Sequence, residues 1–331
     1  MSRLVACLVL LALPALATEP VAVPRRPVHT YSIVARDSAT GELGVAVQSH
    51  WFSVGSTVPW AEAGVGAIAT QSFVDPSYGK LGLELMRAGR AAPDALKGLL
   101  AADGASGVRQ VAMVDAQGRV AAHTGDSCIA AAGHLVGEGF SVQANMMERD
   151  TVWPAMAKAF RESKGDLAER MLAALEAAEA QGGDIRGKQS AALIVVAAKP
   201  SGRPWMDRKF DLRVDDAPEP LKELRRLVTL QRAYNFMNEG DLAIERKDTD
   251  GALKAYSAAE KLAPGNAEMV FWHAISLVGV GRVDAALPLL QRTYKADPRW
   301  RELVMRLPKA GLLPDDPKLL ARLTGGAKPA K

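Results

Sequence analysis

Thr30 is the residue whose type and position carry the most chemistry in this chain. It opens the β-rich stretch TYSIVARD (30–37), directly after the proline-rich TEPVAVPRRPVH (18–29). Cleavage of the His29–Thr30 bond would put a hydroxyl and a free α-amine on one residue. An α-amine has a pKa of about 7.7–8.0, so near neutrality part of it is unprotonated and can take the hydroxyl proton. Nucleophile and general base then share a residue, which suits acyl transfer from an amide. In an uncleaved chain Thr30 is simply a β-branched residue entering a strand, and that is the competing reading.

Other polar residues complete a candidate site. In GFSVQANM (139–146), Ser141, Gln143 and Asn145 share one strand face, opposite Val142 and Ala144. Such a stripe suits either a lined cleft or an exposed sheet face. Gln143 or Asn145 would donate to a developing oxyanion, an interaction of about 3–4 kcal/mol where measured. Ser32, on the same side of its strand as Thr30, either assists or satisfies a backbone group. Gln189 and Ser190 open a buried strand, and Lys188 is the nearest cation for depressing the amine pKa. The catalytic candidates are therefore Thr30, Ser32, Gln143 and Asn145.

Other chemistries find little support. Cys128, among Ser127, Ile129 and alanines, reads as a small buried hydrophobe rather than a nucleophile. Histidines 29, 50, 123, 134 and 273 lack ligand spacing. Asp207, Asp211, Asp215 and Asp216 interleave with Arg208, Lys209 and Arg213, as on a charged strand face rather than around a cation. Gly64-x-Gly66 lacks the rest of a dinucleotide fingerprint, and no P-loop, zincin helix or nucleophile elbow occurs. No metal or cofactor is expected.

The elements that must position these residues follow from length and pattern. The chain has 331 residues, 48% hydrophobic and 24% charged, enough for about two packed domains and too apolar for wholesale disorder. A net charge of +4 with no basic stripe argues against nucleic acid. Residues 1–17, MSRLVACLVLLALPALA, carry Arg3, a short apolar run and an Ala-Leu-Ala cleavage signal, so a signal peptide and export, most simply to the periplasm, are expected. No stretch is long enough to span a bilayer. Losing Cys7 with the signal leaves Cys128 alone, without an intramolecular disulfide.

Residues 18–29 read as an extended linker. From 30 to 216 the pattern predicts a hairpin (30–49), a strand buried on both faces (64–72), helices over 77–89 and 92–102, and strands over 108–115, 119–125 and 139–146. Helices over 151–162 and 166–181 and strands over 189–198 and 210–216 follow, with Phe210, Leu212 and Val214 on one face. This order predicts an α+β block of two stacked antiparallel sheets with helices outside. Residues 217–331 differ. A shift of 34 superposes Asp250 on Asp284, Ala252 on Ala286, Leu253 on Leu287 and Pro264 on Pro298. Gly240, Ala252, Tyr256, Ala259 and Pro264 fall at tetratricopeptide spacings, so an all-α repeat domain is expected, with the helix over 218–231 or those over 299–323 as caps.

TYSIVARDSATGELGVAVQS, VGSTVPWAEAGVGAIATQS, RGKQSAAL and DLRVDD resemble the uncharacterised bacterial family called domain of unknown function 1028, over about 30–216. The resemblance implies the four-layer αββα sandwich of N-terminal nucleophile hydrolases. It implies no substrate. Members of that family commonly carry Met directly before the threonine matching Thr30, whereas here residues 18–29 intervene, so a second cleavage is required. The family's usual aromatic before Thr124-Gly125 is His123 here, which argues against a catalytic histidine at that place. Two functions are expected as alternatives. One is an exported amide-bond hydrolase with Thr30 as nucleophile. The other is a non-catalytic envelope scaffold whose helical repeats hold a peptide or envelope protein, with oligomerisation left open.

Overall fold

The computed structural model describes residues 30–326. The expected signal peptide (1–17) and linker (18–29) lie outside the described residues. The chain opens with β1 (Thr30–Arg36), β2 (Leu43–Ser49), β3 (Pro59–Glu62) and β4 (Gly66–Ser72), then α1 (Ser77–Arg87) and α2 (Ala92–Ala102). Next come β5 (Arg109–Asp115), β6 (Val120–Thr124), β7 (Gly133–Gly137) and β8 (Phe140–Ala144), helices α3 (Val152–Glu162) and α4 (Leu167–Ala180), and strands β9 (Ser190–Val196) and β10 (Arg208–Val214). Helices α5 (Pro220–Glu245), α6 (Thr249–Leu262), α7 (Ala267–Gly279), α8 (Val283–Ala296), α9 (Arg299–Val304) and α10 (Pro317–Thr324) follow. The protein is mixed α+β, with antiparallel sheets and a C-terminal helical region.

One sheet has the order β10-β9-β2-β1-β8-β7 and the other β3-β4-β5-β6, with antiparallel pairing throughout. Strand alternation sorts the side chains. Val34, Val45, Val47 and Ile194 of the larger sheet meet Ala67, Ala69, Ala112 and Val114 of the smaller one. The outer face of the smaller sheet packs Ile68 and Met113 against Tyr78, Leu83 and Leu96 of α1 and α2. That of the larger sheet packs Ile33, Val142 and Leu193 against Met156, Met171 and Leu224 of α3, α4 and α5. Central strands are thus covered on both sides, which is why they read as continuous apolar runs.

Two strands carry too little pattern to be expected from sequence. β3 begins at Pro59, and β7 is bracketed by Gly133 and Gly137, residue types depleted in strands. The glycines of β7 have a steric cause. A Cβ on Gly133 would lie 2.6 Å from the Trp153 ring, and one on Gly137 would lie 2.2 Å from the Phe140 ring.

The helix expected over 218–231 does not stop there. α5 runs unbroken for 26 residues, because no proline or helix-ending glycine interrupts it after Pro220 at its start. Leu221, Leu224 and Val228 in its first half pack on the larger sheet and α4. Ala233 and Met237 in its second half pack with Ala252, Tyr256 and Ala259 of α6. Gly240 admits the Tyr256 ring, which lies 2.4 Å from where a Cβ would be. Arg225 bridges Glu169 and Glu176, and Arg232 bridges Asp166 and Glu169, so the helical region is tied to the sheet block by ion pairs as well as by packing.

Candidate functional site at the Thr30 end of the sheets

The space between the sheets is apolar over most of its length and polar at one end. Residues two apart share a strand face, so Thr30 and Ser32 point with Val34 toward the smaller sheet. Ser141 and Gln143 likewise point inward, because Phe140, Val142 and Ala144 face the helices. Register aligns the rest. Thr30 pairs with Ser49, Ser49 with Ser190, and Ser32 with Gln143. Across the gap, Gln71 pairs with Gln110, and Gln110 with Thr124. Thr30, Ser32, Gln71, Gln110, Gln143 and Asn145 are all wholly buried.

Burying amides without partners would cost about 1–3 kcal/mol each, and here the amides bond one another across the sheets. Ser32 Oγ donates to Gln71 Oε1 at 2.6 Å and accepts from Gln143 Nε2 at 2.6 Å. Ser141 Oγ donates to Gln143 Oε1 at 3.0 Å. Gln71 Nε2 donates to the Thr30 carbonyl at 3.1 Å and to Gln110 Oε1 at 2.7 Å. Asn145 Nδ2 also donates to Gln110 Oε1, at 2.8 Å, and the Asn145 backbone N–H donates to the Thr30 carbonyl at 3.1 Å. Gln110 Nε2 reaches the Ala144 carbonyl at 2.8 Å and Thr124 Oγ1 at 2.9 Å. The network exits at His134, whose Nδ1 lies 2.8 Å from Thr124 Oγ1. Partial desolvation, helped by the neighbouring His123, holds the His134 imidazole below its ordinary pKa, which favours the neutral ring beside the Thr124 hydroxyl.

All four candidates from sequence therefore meet at one end of the inter-sheet space. Ser32 and Gln143 touch directly, and Asn145 joins them through Gln110 and Gln71. Ser190 lies in the same row, but its hydroxyl is engaged with the Trp51 carbonyl and the Val54 N–H. Lys188 points elsewhere, pairing with Glu179 and Glu219, and those carboxylates raise its pKa. Gln189 turns its amide outward to Asp216. Cys128 is half-buried, its thiol directed at the Arg109 carbonyl and its pKa raised by desolvation. The aspartates near β10 are engaged with protein groups: Asp207 with Ser201, Asp211 with Arg208, Asp215 with Ser53.

Sequence reasoning missed Gln71, Gln110, Thr124 and His134. The available signal was a lone glutamine near the end of each otherwise apolar run, IATQS and RQVAMV. Backbone strain marks the same end. Ser53, Ser72 and Met146, three of the four described non-glycine residues with positive φ, lie just beyond β2, at the close of β4 and just beyond β8. Each such conformation costs about 1–2 kcal/mol, and such residues gather where geometry matters for function.

Two antiparallel sheets enclosing a buried amide and hydroxyl network at one end, with helices outside and a helical region appended, define the class of protein. The chain belongs to the family of unknown function DUF1028, whose profile matches residues 30–224. It is similar to the crystal structure of a protein from Silicibacter pomeroyi assigned to the same family, at 30% sequence identity and a TM-score of 0.54, covering 60% of this chain and 88% of that one. No curated protein matches the chain. Among the described residues no helix is long and apolar enough to cross a membrane, and no cluster of three or more metal-ligating side chains occurs.

Proposed function

We propose that the protein is an exported amide-bond hydrolase of the N-terminal nucleophile type, with Thr30 as nucleophile and its own α-amine as base. The layer order of helices, two sheets and helices supports this reading, and the C-terminal helical region, read as tetratricopeptide-like, would present substrate or partner. The observation that carries it is the chemistry of the network. Around Thr30 the described hydrogen-bonded side chains are amides and hydroxyls. The one ionisable member, His134, is separated from Thr30 by Thr124 and the glutamines. Neutral amides do not accept a hydroxyl proton near neutral pH, and an α-amine on Thr30 itself would supply such a base.

In the reaction, cleavage before Thr30 frees its nitrogen. Thr30 Oγ1 attacks the substrate carbonyl carbon as the amine takes the hydroxyl proton, and the carbonyl π electrons move to oxygen. The C–N bond then breaks with that proton delivered to the leaving nitrogen, leaving an ester on Thr30. Water attacks the ester, giving the acid and restoring the hydroxyl. Gln143 or Asn145 would supply an N–H group toward the oxyanion, and Ser32 orients Gln143.

The test is the start of the mature chain together with acylation. Intact mass and terminal sequencing of exported protein are expected to begin at Thr30, and a β-lactone probe is expected to add its mass to Thr30 and not to Thr30→Ala. A mature chain that begins at Thr18 and whose hydrolysis is untouched by Thr30→Ala would refute the assignment. The second reading, a non-catalytic envelope binding protein, is favoured by the complete burial of Thr30 and by the groove in the helical region described next.

A further inference from the structure

The helical region holds a groove of about 590 Å³ between α5 and α7, floored by Tyr256 of α6 and rimmed by Leu312, an exposed apolar side chain. Its walls are mostly apolar, with Met237, Met269, Trp272 and Ile275 supplying much of the surface. Two carboxylates enter it, Asp241 from α5 and Glu268 from α7, and no lysine, arginine or histidine lines it. Tyr256 donates to Asp241 Oδ1 at 2.8 Å, and Tyr234 donates to Glu268 Oε2 at 2.7 Å. These bonds fix both carboxylates while leaving Asp241 Oδ2 and Glu268 Oε1 without a bond among the described residues. Neither acid forms an ion pair there either, unlike Asp166, Glu169 and Glu176, whose charges are matched by arginines.

We propose that this groove is a docking site for a peptide segment of a partner protein in which lysine or arginine alternates with apolar residues. Two uncompensated negative charges beside low-dielectric walls attract a cation more strongly than the same charges on open surface. The apolar walls demand that the residues flanking the cation be apolar, since a purely charged segment would leave them wet. Methionines adapt to varied side chains, and an indole face adds attraction for a cation. Because the tyrosines hold the carboxylates before binding, little ordering is needed on this side of the interface. The proposal is independent of the Thr30 chemistry, and its test separates the two.

The probe is the capped peptide Ala-Leu-Lys-Leu-Ala-Lys-Leu-Ala, titrated calorimetrically into the full chain, alongside its counterpart with Glu in place of Lys. The lysine peptide is expected to bind at least about tenfold more tightly than the glutamate peptide, and to weaken as salt rises. Asp241→Asn with Glu268→Gln keeps the tyrosine bonds possible and is expected to remove about tenfold of that affinity, and Asn238→Lys, at an exposed position in the groove, is expected to do the same. Thr30→Ala is expected to bind the lysine peptide as the unaltered chain does. Equal affinity for the two peptides, no binding of either, or affinity unchanged in both groove variants would overturn the proposal. Tighter binding of a peptide of residues 18–29, which carries Arg25 and Arg26, would overturn it in favour of the chain's own leader as occupant.

Discussion

The two ends of the inter-sheet space are built from the same strands and differ in what they can do. At one end Val34, Val45 and Ile194 interdigitate with Ala67 and Val114, an arrangement that stabilises without directing chemistry. At the other, a step or two along the same strands, Thr30, Ser32, Gln143, Gln71 and Gln110 form a network that needs nearly every bond made to be tolerated. A packed hydrocarbon end is cheap and forgiving of rearrangement. A buried polar end is costly, restricts side-chain geometry and carries the groups that can act on a substrate. The contrast explains why the described backbone strain gathers at the polar end and not at the apolar one.

Substitutions sharpen this contrast. The largest expected effect is at Thr30: Thr30→Ala should lower hydrolysis by about a thousandfold or more, measured as turnover of the cognate amide, with the melting temperature nearly unchanged. At the apolar end Ile194→Ala should cost about 2–5 kcal/mol in denaturant unfolding while leaving Thr30 acylation by the β-lactone probe intact. Gln71→Leu should cost about 1–3 kcal/mol, because Ser32 loses its acceptor, and should also slow acylation. If Ile194→Ala and Gln71→Leu affected acylation equally, the functional difference between the ends would be gone.

A fourth glutamine refines the point. Gln48 is wholly buried on the helix-facing side of β2, across from Tyr31, and neither atom of its amide has a partner among the described residues. Gln48→Met is expected to raise stability by about 1 kcal/mol, the opposite sign to Gln71→Leu, because it removes an unmet desolvation cost and breaks no bond.

The smallest expected effect concerns how the sheet block holds α5. Burial alone would raise the Asp166 and Glu169 carboxyls, but bonds to Arg232, with Arg225 also on Glu169, leave both below the usual carboxylate range. A carboxyl with a depressed pKa in the folded state adds stability that is complete above its unfolded value near 4 and is lost as pH falls through the folded one. Arg232→Met should therefore lower the melting temperature modestly at pH 7, leave it nearly unchanged at pH 2, and so flatten its fall between pH 5 and pH 2.

Much of the candidate site was legible because strand alternation is a local rule. Ser32 lies two residues from Thr30, and Ser141, Gln143 and Asn145 alternate with apolar residues, so shared faces followed from position alone. Gln71 and Gln110 escaped because their relevance comes from the opposite sheet, 39 residues of sequence from Thr30's neighbour Ser32 in the case of Gln71. Lys188 shows the converse. It was a cation candidate for the Thr30 amine that no sequence pattern placed there, and Glu219 and Glu179 hold the ammonium elsewhere.

By itself the sequence determined the hairpin, the doubly buried strands, the paired helices after α5 and the threonine at a strand start, because periodicity, turn residues and small residues at helix crossings act over a few positions. Only the tertiary structure decided which sheet faces which, that three glutamines wire the Thr30 end together, that α5 continues from the sheet block into the helical region, and that Asp241 and Glu268 share one groove. Those outcomes depend on contacts between residues far apart in the chain, where the free energy of packing and of matched hydrogen bonds, rather than local preference, selects the arrangement.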